Sequence, residues 1–311
     1  MSNHTGHGHH HDSSHGHDHG HGGAHGHHQD PADFDWDVMG PLLEQNAELS
    51  SEQYTEAARW IAGLPDAPKV RRVLDIGSGP GVISCLLAEA FPGSEVVAVD
   101  GTPALLERTR ERAQRLGLGD RVTTLHADIP DGLAELGQAD LVWAGNALHH
   151  MGDQRAVLAG FAGLLNPGGT VALVEGGLQP RQLPRDLGFG RPGLEARMEA
   201  VQAEAFEEMR AVLPDARREN EDWAALFTAV GLAPQGTRSF LLDLPAPLGE
   251  VAREHVIAEF ARRRDGLRDW LDADDIAVLD RLLDPEDPAG LHRRRDTYLL
   301  MARTVHLGRR A

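Results

Sequence analysis

From residue 69 onward the spacing of hydrophobic positions switches repeatedly between two periods. Val70–Ile76 is a short β-rich run, Val82–Phe91 carries apolar residues at helical spacing, and Glu95–Val99 is a continuous apolar run closing on Asp100. Thr102-Pro103 supplies a cap followed by proline at the first helical position, after which Leu105, Leu106, Thr109, Ala113 and Leu116 form a helical stripe. Val122–His126 and Leu141–Ala144 predict a third and a fourth strand. Asp153 then caps a helix with Val157, Leu158, Phe161, Leu164 and Leu165 on one face, and Pro167-Gly168-Gly169 turns into a fifth strand, Thr170–Glu175. This alternation predicts a parallel sheet covered on both faces.

The flanking segments follow other patterns. Residues 1–31 hold twelve of the chain's 18 histidines, between His4 and His28, with Gly, Asp and Ser filling the gaps. Such a segment cannot bury apolar surface and is expected to be a disordered His-rich tail. Residues 32–68 form a helical cap: a stretch opening at Phe34–Met39 and running to about Leu64, in which Pro41 threatens the first turn. Residues 69–311 make the main domain, interrupted by helical insertions at about 178–220 and 249–295. The first insertion contains a helix over Leu194–Leu213, and the second a charged helical segment over Gly249–Leu283. Between them Trp223, Leu226, Phe227 and Val230 recur at i, i+3, i+4 and i+7, and strands Ser239–Leu244 and Tyr298–His306 complete the set.

Composition narrows the classes. In 311 residues, 41% hydrophobic and 25% charged, a normal core can be built. A net charge of -18 argues against nucleic acid bound through phosphates and against docking on anionic lipid. The single cysteine, Cys85, excludes an intramolecular disulfide framework and a Cys-rich zinc site, and its apolar neighbours mark it as a buried small hydrophobe. With no apolar run long enough for a membrane span and no signal-peptide core, a cytoplasmic protein is expected. The interrupted histidines of the tail suit adventitious binding of Ni²⁺, Zn²⁺ or Cu²⁺ but give no fixed geometry for a catalytic metal. The sequence names no oligomeric partner.

Chemistry concentrates where the first strand ends, in Val73-Leu74-Asp75-Ile76-Gly77-Ser78-Gly79-Pro80-Gly81. A glycine turn between a strand and a helix opens a ligand crevice at the carboxyl edge of a parallel sheet, and an acid closing the second strand, Asp100 before Gly101, is placed to accept both hydroxyl protons of a ribose. These two features fit a nicotinamide or flavin enzyme nearly as well. Three more shift the balance: Asp75 ahead of the loop, Asp128 in His126-Ala127-Asp128-Ile129-Pro130 after the third strand, and Pro167-Gly168-Gly169 before the fifth.

Together these motifs resemble the class I S-adenosylmethionine-dependent methyltransferase family, over roughly residues 34–175 and the closing strands. The resemblance implies a Rossmann-like, doubly wound α/β fold with a mostly parallel seven-stranded sheet, the last strand antiparallel, and helical N-terminal and inserted lid segments. It implies S-adenosyl-L-methionine as cofactor. Asp75, Gly77, Ser78, Gly79 and Gly81 would surround its methionine part, Asp100 and Gly101 its ribose, and Asp128 and Ile129 its adenine. The segment Asp140–Asn146, ending in Asn146, would lie near the sulfonium. Asp75 also fits physically, since acids complement a sulfonium and an ammonium; bracing the glycine loop through backbone N–H groups is the plainer alternative.

On the acceptor side, Asn146-Ala147-Leu148-His149-His150-Met151 resembles the small-molecule branch of that family and departs from the Asn/Asp-Pro-Pro-aromatic pattern of enzymes that methylate amino groups of bases or glutamine. The expected reaction is in-line transfer of a methyl group to oxygen, carbon or nitrogen of a small molecule. His149 or His150 is the candidate general base; the alternative is that one packs under the helix while the other hydrogen-bonds backbone. Glu175, at the end of the fifth strand, could face the pocket, with a solvated strand-end carboxylate as the plainer account, and His126, His255, His292 and His306 read as ordinary surface or core residues. Trp36, Met39, Phe189, Met198, Phe206 and Met209 as a set suggest a lid over an apolar or aromatic acceptor, although helix-face packing is the simpler account of each. A non-catalytic cofactor binder, or a metal-responsive protein using the tail, is the competing class. A member that uses the cofactor for other chemistry is a third, and arsenic methylation is set aside because only Cys85 is present.

Overall fold

The computed structural model describes residues 36–64 and 69–311. The predicted tail, residues 1–31, lies outside them, as does the side chain of Trp36.

The helical cap is two helices. α1 (Trp36–Leu49) contains Pro41 without ending there, and α2 (Ser51–Ala62) restarts after Ser50. The main domain then alternates: β1 (Arg72–Ile76), α3 (Val82–Ala90), β2 (Glu95–Asp100), α4 (Pro103–Arg115), β3 (Val122–His126), β4 (Ala139–Gly145), α5 (Gln154–Leu164) and β5 (Leu165–Arg181). After these come α6 (Leu194–Ala211), α7 (Trp223–Ala229), β6 (Leu232–Leu244), α8 (Glu250–Gly266), α9 (Ala273–Leu283) and β7 (Leu299–Arg310). The charged helical segment expected over 249–283 is two helices, and Asp272 caps the second, its carboxylate accepting the Asp275 N–H at 2.9 Å.

The seven strands form one sheet in the order β3-β2-β1-β4-β5-β7-β6, with β1 to β5 parallel and β7 antiparallel to both neighbours. The doubly wound α/β fold with an antiparallel last strand is therefore as the sequence implied. Register aligns the strand tips: Ile76 pairs with Val99 and with Ala144, and Asp100 with His126. The carboxyl ends of four strands thus meet along one line.

Alternation along β1 splits the core. Leu74 and Ile76 face a cluster with Phe161 of α5 and Phe227 of α7, while Val73 faces a second with Ala57 of α2 and Leu87 of α3. A third cluster lies beyond the sheet's carboxyl edge. There Met198 of α6, Phe260 of α8 and Leu279 of α9 pack on Leu242, Leu299 and Met301. It exists because three strands run on past that edge. β5 was expected to stop at Glu175 but continues to Arg181, still paired with β7 through Leu178↔Ala302 and Arg181↔Leu300. The register slips between Val174 and Gly177, a bulge in which Gly176 and Gly177 have φ of 71° and 119°. A Cβ on Gly177 would sit 2.1 Å from the Ala302 carbonyl oxygen, so glycine is required there. No described helix is long and apolar enough to cross a membrane.

Candidate functional site

The glycine loop is built by three contacts. The Gly77 and Ser78 N–H groups both donate to the Val99 carbonyl, at 2.9 and 3.0 Å, which fastens the loop across the tip of β2. Gly79 N–H donates to Asp100 Oδ2 at 2.9 Å, while Asp100 Oδ1 accepts the Thr102 N–H at 2.8 Å. One carboxylate therefore joins the loop to the start of α4. The three glycines are needed for different reasons. A Cβ on Gly81 would meet Thr109 at 2.4 Å, and one on Gly77 would meet the Ala147 Cβ at 3.1 Å, whereas a Cβ on Gly79, at φ 55°, would meet nothing within 4 Å. Gly81 thus serves helix packing, and Gly79 is the glycine with open space before its backbone.

The line continues in both directions. A Cβ on Gly101 would stand 2.5 Å from Asp128 Oδ1, so the Asp128 carboxylate lies directly over Gly101. Ile129 packs against the core beneath it. On the other side Asn146, at φ 52°, donates from Nδ2 to the Tyr54 hydroxyl at 3.2 Å, and the Tyr54 ring meets Trp143 edge-on with centroids 6.2 Å apart. Gly77, Gly79, Asp100, Gly101, Asp128 and Asn146 are thereby brought to one continuous rim.

Two features of the rim bear on what it can hold. Ser78 is 6% exposed and its Oγ, among the described residues, has no hydrogen-bond partner. A buried hydroxyl left unpaired in a loop this open is one that a polar ligand group can satisfy. Asp75 is 2% exposed and accepts from Ser84 Oγ at 2.5 Å. It braces α3 against β1; no loop N–H bonds to it, in contrast to the plainer reading of the sequence. Burial pushes its carboxyl up to about 7, opposed by the Ser84 bond and reinforced by the negative charge of Asp100. Asp100 is also raised, first by desolvation, with its two backbone hydrogen bonds acting the other way.

Asp140 belongs elsewhere. It sits at the amino end of β4, where Oδ2 accepts the Arg71 and Arg72 N–H groups at 2.8 and 3.1 Å and Oδ1 accepts from Asn166 Nδ2 at 2.8 Å. A cavity of about 240 Å³ lined by Ile61, Phe91, Asp140 and Thr170 opens at that same amino edge, away from the rim.

Past Asn146 the chain makes a 3₁₀ turn, Leu148–His150, and here the structure corrects one expectation. Glu175 is not solvated; it is 5% exposed. The bulge before Gly177 turns its carboxylate onto the turn, where Oε1 accepts the Leu148 and His149 N–H groups at 2.9 and 3.3 Å. Oε2 accepts from His149 Nδ1 at 2.8 Å. His149 has its ring 4.2 Å from that of His150 and 5.7 Å from Phe206 of α6, and Arg210 of α6 donates to its carbonyl oxygen. His150 meets solvent, and its pKa is lowered by the packing around it, by His149 and by Arg210, with Glu175 opposing. His306 is also engaged: Nε2 contacts the Glu175 carbonyl at 3.2 Å and Nδ1 the Thr237 hydroxyl at 3.1 Å. A solvated Glu175 is the plainer account from sequence because nothing in its local sequence marks burial; its partners lie 26 and 27 residues away.

Of the proposed lid residues, Met198 is wholly buried in the third cluster and Phe189 lies under the Arg281 guanidinium at 4.1 Å, so both serve packing. Among the described side chains of that set, Phe206 is the one seen against the histidine turn. Cys85 is buried, and desolvation pushes its thiol up to about 11, as suits an inert core residue. Among the described residues no group of three metal-ligating side chains is assembled.

The chain is similar in sequence to known methyltransferases. Residues 74–171 match the model of a family described as "Methyltransferase domain". A probable cobalt-precorrin-6B C(15)-methyltransferase of Methanothermobacter thermautotrophicus is 32% identical over 149 residues, which is 47% of this chain and 75% of that one. The chain belongs to the class I S-adenosylmethionine-dependent methyltransferases. A trans-aconitate 2-methyltransferase of Methylobacterium radiotolerans is 34% identical over 142 residues, 45% of this chain and 48% of that one. The chain spans about half the length of the first of the curated relatives it matches. A solved methyltransferase from Thiobacillus denitrificans, in complex with S-adenosyl-L-homocysteine, aligns with a TM-score of 0.44 at 20% identity, over 82% of this chain and 90% of that one.

Proposed function

We propose that this methyltransferase binds S-adenosyl-L-methionine along the rim and transfers its methyl group to a small-molecule acceptor. The observation that carries the reading is the continuity of the rim: an open Gly79 beside an unpaired buried Ser78 hydroxyl, the carboxylates of Asp100 and Asp128, and Asn146 follow one another along four strand tips. The residues fit the group. Each Asp100 oxygen keeps a lone pair beyond the N–H it already accepts, enough for two ribose hydroxyls. Asp128 with Ile129 offers an acceptor beside an apolar wall for the adenine, and Asp75, charged on contact with a cation, complements the methionine end. When bound, the cofactor supplies an electrophilic methyl carbon on a positively charged sulfur. The chain orients the acceptor and excludes water, a contribution that reaches roughly 7–11 kcal/mol in well-oriented systems.

In this reading residues 69–311 are the catalytic domain, residues 32–68 its cap, and 178–220 and 249–295 the insertions over the carboxyl edge. His149 and His150 stand at the acceptor side. The protein works in the cytoplasm, without nucleic acid or membrane, and the twelve histidines between His4 and His28 take up Ni²⁺, Zn²⁺ or Cu²⁺ adventitiously. That density of imidazole also supports the second reading, a metal-responsive cofactor binder without turnover. Calorimetry with S-adenosylmethionine, followed by incubation of cell extract with an isotopically labelled methyl donor, separates the two. Binding with a labelled small molecule supports methyl transfer, binding without one favours the second reading, and no binding removes both.

A further inference from the structure

Resting on that reading, we propose that Glu175 is a positioning residue that fixes the tautomer of His149, leaving His149 Nε2 as the base for an acceptor hydroxyl. The geometry dictates the proton's place. A carboxylate only accepts, so the 2.8 Å contact between Glu175 Oε2 and His149 Nδ1 requires the proton on Nδ1. In the neutral ring Nε2 then carries the lone pair. Among the described residues no hydrogen bond to Nε2 is recorded, and the side chain is 22% exposed, so that nitrogen is available. The ring cannot readily turn away, held between His150 and Phe206 and anchored by Arg210 on its own carbonyl oxygen. Among the described residues His150 has no such orienting partner.

The step balances. The acceptor O–H proton moves to His149 Nε2 as the oxygen attacks the methyl carbon, and the methyl–sulfur bond breaks with its electron pair staying on sulfur. The products are a methyl ether, a neutral sulfide and an imidazolium beside the Glu175 carboxylate, which later returns its proton to water. The acceptor class follows: a hydroxyl of phenol or enol type, which needs a base, in place of a carboxylate, which does not.

The decisive variant is Glu175→Gln in the full chain. The amide oxygen can keep the Leu148 and His149 N–H groups, so the turn survives, but the NH₂ group then faces His149 Nδ1. The ring must accept there, and the proton moves to Nε2, where no base remains. ¹⁵N imidazole spectra should show the Nδ1–H form in the wild type and the Nε2–H form in Glu175→Gln. Incorporation of labelled methyl into extract metabolites should fall by about 10² to 10⁴, with calorimetric affinity for S-adenosylmethionine unchanged. His149→Asn, which can still donate to Glu175 but is no base, should show the same loss and serves if the first variant does not fold. The labelled wild-type product should survive mild alkali, as an ether does. Unchanged turnover in either variant, an unchanged tautomer in Glu175→Gln, or an alkali-labile methyl ester would overturn the proposal and leave the methyltransferase reading standing. Absent cofactor binding in the wild type would remove that reading itself.

Discussion

The two halves of the sheet are made by different rules. β1 to β4 are five to seven residues long and stop together, so their loops fall side by side and form the rim. β5, β6 and β7 are 17, 13 and 12 residues long, run past the rim and hold the third core cluster against α6, α8 and α9. The first half presents backbone N–H groups and carboxylates; the second presents a wall. The bulge at Gly176-Gly177 joins them, because it is where the wall hands Glu175 back to the histidine turn. Binding chemistry and shape are thus divided between short-range and long-range parts of the sequence.

The sharpest way to test that division is to damage the rim alone. Asp100→Ala removes the acceptor of the Gly79 and Thr102 N–H groups, each such charge-assisted bond being worth about 1.5–3 kcal/mol. Calorimetry should show S-adenosylmethionine affinity falling by at least about 100-fold, with a far smaller change in the wall's hydrogen-exchange protection. A similar loss of protection in α8 and α9 would mean that the two halves are one cooperative unit.

The converse damage is Gly177→Ala. Its Cβ would be driven into the Ala302 carbonyl at a φ of 119°, and neither backbone can move without unpairing β5 from β7. A loss of about 3 kcal/mol in unfolding free energy is expected, read by denaturant titration. Gly79→Ala is the control: its Cβ meets open space, so stability should fall by about 1 kcal/mol while cofactor affinity suffers more.

The same division explains what could be read in the sequence. The glycine loop, Asp100 and Asp128 announce themselves because each sits at the end of its own strand, within a local pattern. The end of β5 did not. Gly176-Gly177-Leu178-Gln179-Pro180 has the composition of a turn, and only pairing with β7 more than a hundred residues later makes it strand. Glu175 read as solvated for the same reason, carboxylates being surface residues unless something distant satisfies them. The start of α9 is written locally, Asp272 being a capping residue ahead of an acidic first turn, whereas Ser50 makes no capping bond and the break there carries no such signal.

A smaller effect should come from Asp75. With its carboxyl raised to about 7, the group is mostly protonated at pH 6 and mostly charged at pH 8 in the free protein. A cationic ligand favours the charged form, so affinity should rise with pH and level off above 7. If the cofactor holds Asp75 fully ionised, the gain from pH 6 to 8 is about tenfold. Buffers of different ionisation enthalpy would register the released proton in calorimetry, and Asp75→Asn should flatten the profile. A profile that stays steep in that variant would place the titrating group elsewhere on the rim.

The smallest effect tests where the cap belongs. α1 is tied to α4 by Arg112, whose Nη1 lies 2.6 Å from Glu44 Oε1 and 2.8 Å from Glu48 Oε1. The Glu48 side chain is 52% exposed, so Glu48→Gln should cost only about 0.3–0.5 kcal/mol. Arg112 and Glu44 are more enclosed, at 12% and 22%, so Glu44→Gln should cost somewhat more. Because Glu48 is exposed, its loss should shrink at about 1 M salt, where the screening length falls to about 3 Å. Thermal melts at low and high salt distinguish the cases. A loss that persists undiminished in high salt would mean that α1 is held by packing, with the charges incidental, and α1 would then belong to the core of the molecule as α2 already does.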